Sequence, residues 1–521
     1  MEEILLRRSP RAHAAPLSPR SRCGSTSRQR SRGAAGRRAS REGSNRGEDH
    51  VKTSTDGNVS LVQLRRKESL VSADIEPPEI LLERARALAV PATRPAAAPR
   101  PHGRTRELTR RGVLWLGQTC NLRCHFCYFL DRIEDKEHPE HPFMSLEKAQ
   151  EICRTLVEFY GNDAIDIQGG EPTIWRDIHA LIKYCAGIGL APTLITNALV
   201  LDKRDKAQQF KDSGVADFLV SVQGLGKAHD LAVGVSGAHV RQMRALNHLI
   251  ALDVPFRVNC VMSKLAVPQL PAIARLSVEL GARAVNFLAF NPFADQRKEG
   301  ARTAENVPRY GDLRGPLDEA LDVLAQAGVE ANVRYLPHCI VPERHWPSVY
   351  NYQQLSYDPH EWDFASWTWT NKGPQRMRAG AVSPPVPLGA RPRLGRLRQP
   401  LLRLADAIDL RGRMLRADTD PRLGPVMRKL EGLSYRLFRR RGDRDAAYRH
   451  DALNRVEHNG YQKGAGCQRC ALRDICDGFH GDYVAMFGTD EARPVLDRAP
   501  VSDPRAFISA QDKVAPARGE A

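Results

Sequence analysis

No run of apolar residues in this 521-residue chain approaches the length needed to cross a bilayer. The opening residues lack the basic, then apolar, then small-residue order of a secretory signal. A cytoplasmic protein with no membrane partner is therefore expected. Acidic residues are the minority charge, 61 against 78 Lys and Arg, leaving a formal net charge of +17. Cysteines are few, but six of the eleven fall in two tight groups. Without an export signal, such groups point to metal or cluster ligation rather than to disulfides.

The excess of positive charge is uneven. Residues 1–50 hold twelve arginines against five acids, with little to bury. Such a segment cannot offset its ordering entropy, so residues 1–105 are expected to be a disordered basic tail. A weak helix at Pro78–Leu88 interrupts it, and a Pro/Ala/Arg stretch around Pro95–Pro101 ends it. Deleting the tail is expected to be nearly neutral. A basic tail can read as a nucleic-acid arm, but an upstream start codon in an arginine-rich genome explains it as well, and nucleic acid is not expected as a partner.

From Arg111 onward, short apolar strands alternate with helical periodicity. Strands are expected at Val113–Leu116, Ala164–Gln168, Thr193–Thr196, Phe218–Val222, Arg257–Val261 and Ala284–Phe290. Between the first two, Ser145 caps a helix that Gly161 closes. A further helix at Pro316–Ala327 leads into Val333–Tyr335. This alternation implies an α/β fold, a parallel sheet wrapped by helices, and six units fit a partial (β/α)6 barrel over 106–340. A connecting region, 341–459, carries an insertion in which Arg391–Arg444 holds fifteen arginines and one lysine against six acids, with an amphipathic helix near Leu401–Ile408. A small cysteine-bearing unit at 460–490 and a C-terminal tail at 491–521 complete the division.

The first group, Cys120-Asn-Leu-Arg-Cys124-His-Phe-Cys127, has the spacing C-x3-C-x2-C. Three thiolates on one loop can take three irons of a cubane and leave the fourth open for a small molecule. A closed zinc site would want a fourth ligand, for which His125 is the nearby candidate. The spacing, with Phe126 before the third cysteine, resembles the signature of the radical S-adenosylmethionine (radical SAM) family. Gly169-Gly170-Glu171-Pro172 after the second strand is similar to that family's glycine-rich cofactor motif. The resemblance implies a 4Fe–4S cluster on Cys120, Cys124 and Cys127, with the edge of Gly169–Pro172 binding the amino group of S-adenosylmethionine. Two glycines would let backbone approach the ligand, and Glu171 could accept from its ammonium. Thr196, Asn197, Ser221, Gln223 and Asn259 stand at strand C-terminal ends, where barrel enzymes collect ligands. Phe126, Asn197, Ser221 and Asn259 are taken as further cofactor contacts.

The second group, Cys467-Gln-Arg-Cys470-Ala-Leu-Arg-Asp-Ile-Cys476, is C-x2-C-x5-C. It resembles the C-terminal auxiliary-cluster domains of radical SAM maturases, the SPASM and twitch types. With Cys339 it makes four thiolates, enough for one closed 4Fe–4S cluster. His480 is the alternative fourth ligand, and a zinc site the alternative occupant. Cys153, Cys185 and Cys260 read as core, and Cys23 carries no signal. Polar and aromatic residues crowd Tyr335–Cys339, Asn351–Gln354 and Tyr357–Asp363, with Asn286 and Asn291 beside them; they line a substrate pocket or seal the barrel mouth.

The family resemblance implies reductive cleavage of S-adenosylmethionine to a 5′-deoxyadenosyl radical that takes hydrogen from a peptide or small-molecule substrate. A flavodoxin or ferredoxin electron donor is implied too. A radical methylating or sulfur-inserting enzyme acting on RNA, and a non-enzymatic iron–sulfur or zinc nucleic-acid protein, are the alternatives. The cofactor motif speaks against the last, since a structural cluster has no use for it.

Overall fold

A computed structural model describes residues 75–89, 101–102, 106–127, 141–290, 303–364, 366–367 and 444–514. The expectations for residues 1–74, the Arg391–Arg444 segment and Asn291 lie outside these.

Eight parallel strands form the sheet in sequential order: β2 (Arg111–Trp115), β3 (Ala164–Gln168), β4 (Ala191–Thr196), β5 (Asp217–Ser221), β6 (Phe256–Met262), β7 (Ala284–Ala289), β8 (Glu330–Arg334) and β9 (Val349–Tyr350). Each returns through a helical connection, as parallel pairing requires. Ile165 and Ile167 of β3 join the hydrophobic core, while Asp166 between them pairs with Arg111. The same alternation brings Thr193, Asp217 and Arg257 of the next strands into one network, so the lumen is polar and its rim is apolar. Ser145 caps helix Leu146–Thr155 by accepting from the Lys148 amide at 3.3 Å, and Gly161 ends that helical stretch at φ +71°.

The six expected strands are present, and the sheet continues by two. The segment expected at Val333–Tyr335 begins earlier, as β8. Glu330 and Arg334 at its ends conceal it, because both are charged yet buried. An isolated bridge from Arg111 to Trp362 ties the first strand to the chain beyond β9. Among the described residues, no helix is long and apolar enough to cross a membrane.

Two boundaries need correction. Helix Pro78–Leu88 is no interruption in a tail: Leu81, Leu82 and Ala85 are buried in the main core, and Arg86 pairs with Glu279. That ion pair is too exposed to contribute more than about 1 kcal/mol; the apolar side chains hold the helix. Leu82→Ala should cost about 2–5 kcal/mol in urea unfolding, and a loss below about 0.5 kcal/mol would mean the helix is not docked. Residues 491–514 are no tail either. Lys513 is fully buried against Glu330, and Lys513–Val514 (β10) pairs antiparallel with Pro101–His102 (β1).

Candidate active site

The loop after β2 carries the first three cysteines, and its shape is fixed from both sides. Leu122 is buried among Leu199, Val233, Val235 and Ala238. The amides of Arg123 and His125 donate to the carbonyls of Val233 and Ala232, at 3.1 and 3.2 Å. The Leu122 amide points at the Cys120 sulfur (3.4 Å). Cys120 and Cys127 also pack against Val113 and Trp115, the pair on which Trp362 and Trp367 rest as well. Burial, followed by the charge of Glu171, pushes the Cys120 thiol up to about 12; burial raises Cys124 well above the ordinary range. The bare thiols are therefore protonated at neutral pH, and metal binding here releases protons.

Gly169 and Gly170 take positive φ, +99° and +58°. A Cβ on Gly170 would stand 2.0 Å from the Thr119 carbonyl oxygen. The glycines are thus required by the close approach of this turn to the residue before Cys120, where sequence reasoning assigned them to approach of the ligand. The Glu171 amide donates to the same Thr119 oxygen at 2.9 Å.

Glu171 is 1% exposed, and its carboxylate accepts from the Thr173 amide (3.0 Å) and hydroxyl, the Thr196 hydroxyl (2.6 Å) and the Asn197 amide (2.9 Å). Burial raises its pKa and these donors lower it. The carboxylate fastens the turn after β3 to the end of β4. Pro172 opens the short turn that Glu171 caps.

Asn197 joins the same knot, its Nδ2 donating to Asn121 Oδ1 at 2.7 Å. Asn121 was missed in the sequence; nothing local marks it apart from its place after Cys120. Ser221 and Asn259 are half-buried, in register with each other and with Asn286 at the C-terminal half of the sheet. Gln223 is not a ligand candidate: its amide bridges the Asn259 carbonyl and the Val261 amide. Phe126 packs beside Leu231, Ala232 and Leu265, edge-on to His125. His125 is bonded through Nδ1 to the Ala232 carbonyl (3.1 Å).

Cys339, Cys467, Cys470 and Cys476 line one cavity although 128 residues separate the first from the second. Main-chain N–H groups reach two of these sulfurs, Arg493 to Cys339 (3.5 Å) and Val495 to Cys470 (3.4 Å). Burial pushes Cys476 up to about 12 and raises Cys339 and Cys467. His480 does not line this cavity. It heads helix Gly481–Phe487, where its Nδ1 accepts from the Asp482 amide, and its ring meets Tyr461. The donors from 493 and 495 extend this unit past the expected limit at 490. Cys153, Cys185 and Cys260 are buried core, as expected.

Tetrahedral zinc with Zn–S near 2.3 Å requires sulfurs about 3.8 Å apart. Among the described residues, the only three ligand-type side chains within 4.8 Å of one another are Asp318, Asp322 and His345. Arg344 already neutralises that trio. Neither cysteine set is drawn in to single-ion spacing, and both donor sets, soft sulfurs with main-chain N–H groups aimed at Cys120, Cys339 and Cys470, fit a larger iron–sulfur cluster.

Residues 116–264 match the sequence profile described as Radical SAM superfamily. An AdoMet-dependent heme synthase of Oleidesulfovibrio alaskensis is 30% identical over 199 residues, which are 37% of this chain and 50% of that one. A PqqA peptide cyclase of Bradyrhizobium diazoefficiens is 30% identical over 216 residues, 41% and 54% of the two chains. The solved structure of Streptococcus suis SuiB bound to S-adenosylmethionine matches over 43% of this chain and 50% of that one, at 21% identity and a TM-score of 0.36. The chain spans about half the length of the curated relatives it matches.

Proposed function

We propose that this chain, whose residues 116–264 match the Radical SAM superfamily profile, is an S-adenosylmethionine-cleaving enzyme that modifies a peptide. Cys120, Cys124 and Cys127 would hold a 4Fe–4S cluster, and Cys339, Cys467, Cys470 and Cys476 an auxiliary one. The observation that carries the reading is the mechanical union of the cysteine loop with the Gly169–Pro172 turn, through the Glu171–Thr119 and Asn197–Asn121 bonds. A structural cluster alone would not need a second motif clamped against its loop. Bound there, the cluster and its cofactor supply one-electron cleavage to methionine and a 5′-deoxyadenosyl radical, which takes a hydrogen atom from the substrate.

The chain's own groups position and shield. The free edge of the Gly169–Pro172 turn offers main-chain groups to the methionine end of the cofactor, while Glu171 holds that edge rigid. Ser221 and Asn259 present half-exposed polar side chains towards the nucleoside. Trp115, which Cys120 and Cys127 pack against, and Trp362 and Trp367 on the same pair would help keep water off the reacting centre. A flavodoxin or ferredoxin would deliver the electron, and the auxiliary site would take one back or bind substrate. Similarity to PqqA peptide cyclases from several organisms supports a peptide substrate.

Iron content tests the two-cluster part. The reconstituted chain should hold about eight irons, and Cys467→Ala/Cys470→Ala/Cys476→Ala about four. Cys339→Ala should fall to the triple variant's value, because a cubane short of one thiolate is labile. Full iron in Cys339→Ala would remove that residue from the ligand set, and about four irons plus one zinc in the wild type would contradict the auxiliary cluster.

A further inference from the structure

Between the two cysteine sites stands a cation without a carboxylate. Arg455, on helix Arg444–His458, lies 3.8 Å over the Phe364 ring, 4.3 Å over Trp367 and 5.7 Å over Tyr352. Among the described residues no carboxylate comes within 4 Å of it, and its guanidinium donates no hydrogen bond. Of the nearby acids, Glu361 is paired with Arg334 and Asp477 holds the Tyr352 amide and Gln353, while Asp451, one turn earlier on the same helix, acts on Arg455 through its charge without coming within 4 Å. A guanidinium has five N–H donors to satisfy. Stacking against rings stabilises its charge but leaves those donors at the edge of the plane unused.

The surroundings face the same way. Tyr461, edge-on to Tyr352, has a buried hydroxyl with no partner among the described residues. Tyr335, tilted against Tyr352 at 5.3 Å, is held at φ +65°, a conformation that costs a non-glycine residue energy and is kept where a side chain must be aimed. It follows β8 directly, at the strand end where barrel enzymes bind their substrates. The aromatic group also reaches towards both cysteine sites: Trp367 packs on the Val113–Trp115 pair that Cys120 and Cys127 also touch, while the Tyr352 amide donates to Asp477, the neighbour of Cys476.

We propose that Arg455 anchors a carboxylate of the substrate peptide, with Phe364, Trp367 and Tyr352 as the floor on which an adjoining side chain rests. This rests on the peptide-modifying reading above and adds a preference within it: acidic peptides. A planar fork of donors fits a two-oxygen acceptor, and partial burial makes the pair count for more than it would on the surface. No sequence motif marks Arg455, which lies beyond the arginine-rich segment and is singled out only by what it touches.

The test uses the reconstituted full chain with S-adenosylmethionine under anaerobic calorimetry and three defined probes. N-acetyl-Glu-Phe-amide carries a side-chain carboxylate, N-acetyl-Gln-Phe a terminal one, and N-acetyl-Gln-Phe-amide none. At least one acid should bind about tenfold or more tighter than the neutral probe, and whichever does identifies the carboxylate's source. Arg455→Gln should erase that preference, and Arg455→Lys should keep it in weakened form, with circular dichroism confirming that both variants are folded. The proposal is overturned if the wild type binds all three probes alike, if it binds none, or if the preference survives in Arg455→Gln. Cofactor cleavage by the wild type, measured with no peptide present, reports separately on the reading beneath it.

Discussion

Replacing Lys513 by methionine should cost the protein about 3–5 kcal/mol at pH 7, the range for breaking a buried ion pair from one side. Lys513 is fully buried. Its ammonium donates to Glu330 Oε1 at 2.9 Å and to Asn332, stands 3.5 Å from Asp358, and lies 4.2 Å over the Tyr350 ring. Methionine fills the space but removes the charge. Glu330 then keeps neutral donors, the Asn332 side-chain amide at 2.8 Å and the Val514 amide at 2.7 Å, and the edge of His360, whose own pKa burial lowers.

The pH dependence carries a sign. Desolvation alone would raise the pKa of both acids, but Lys513, as the leading opposing charge, holds Glu330 well below the ordinary carboxylate range and Asp358 at about 2. For groups so depressed, the stabilisation is complete above the unfolded values, near 4, and is lost as pH falls towards the folded ones. Without Lys513 the folded pKa of Glu330 rises, so the variant weakens as pH climbs. The gap between wild type and Lys513→Met should therefore widen from pH 4 to pH 7 in urea unfolding. A constant gap, or one below about 1 kcal/mol at pH 7, would mean that the C-terminal strand does not plug the barrel.

That plug was invisible in the sequence for a physical reason. Glu330 and Lys513 are 183 residues apart, and an ion pair between distant segments leaves no local pattern. By contrast, the cysteine loop and the Gly-Gly-Glu-Pro turn were legible because their chemistry is written in short spacings. The strands from β2 to β7 were legible because their outward residues are apolar and their order is regular. β8 was blurred where a buried charge replaced an apolar residue. Helix Pro78–Leu88 had the right bounds, but its docking depends on Leu81, Leu82 and Ala85 meeting a surface built by helices 238–251 and 270–279. The contacts of Gly170 and Glu171 to Thr119, Thr173 and Thr196 were not legible, because the motif was judged against a ligand alone. Cys339 lines one cavity with the distant triplet, whereas the amides of Arg493 and Val495 beside that cavity carry no side-chain signature.

The central claim is that Cys120, Cys124 and Cys127 tie down a cluster with one iron left for the cofactor. All three thiolates are needed, since each holds one iron of the cubane and no other thiol lies on that loop. The direct measurement is 5′-deoxyadenosine released from S-adenosylmethionine by the anaerobically reconstituted chain with a strong reductant. The wild type should release it together with an equal amount of methionine, and Cys124→Ala should release none above the protein-free control. Equal product from Cys124→Ala and wild type, or none from a wild type carrying its full iron, would contradict the account.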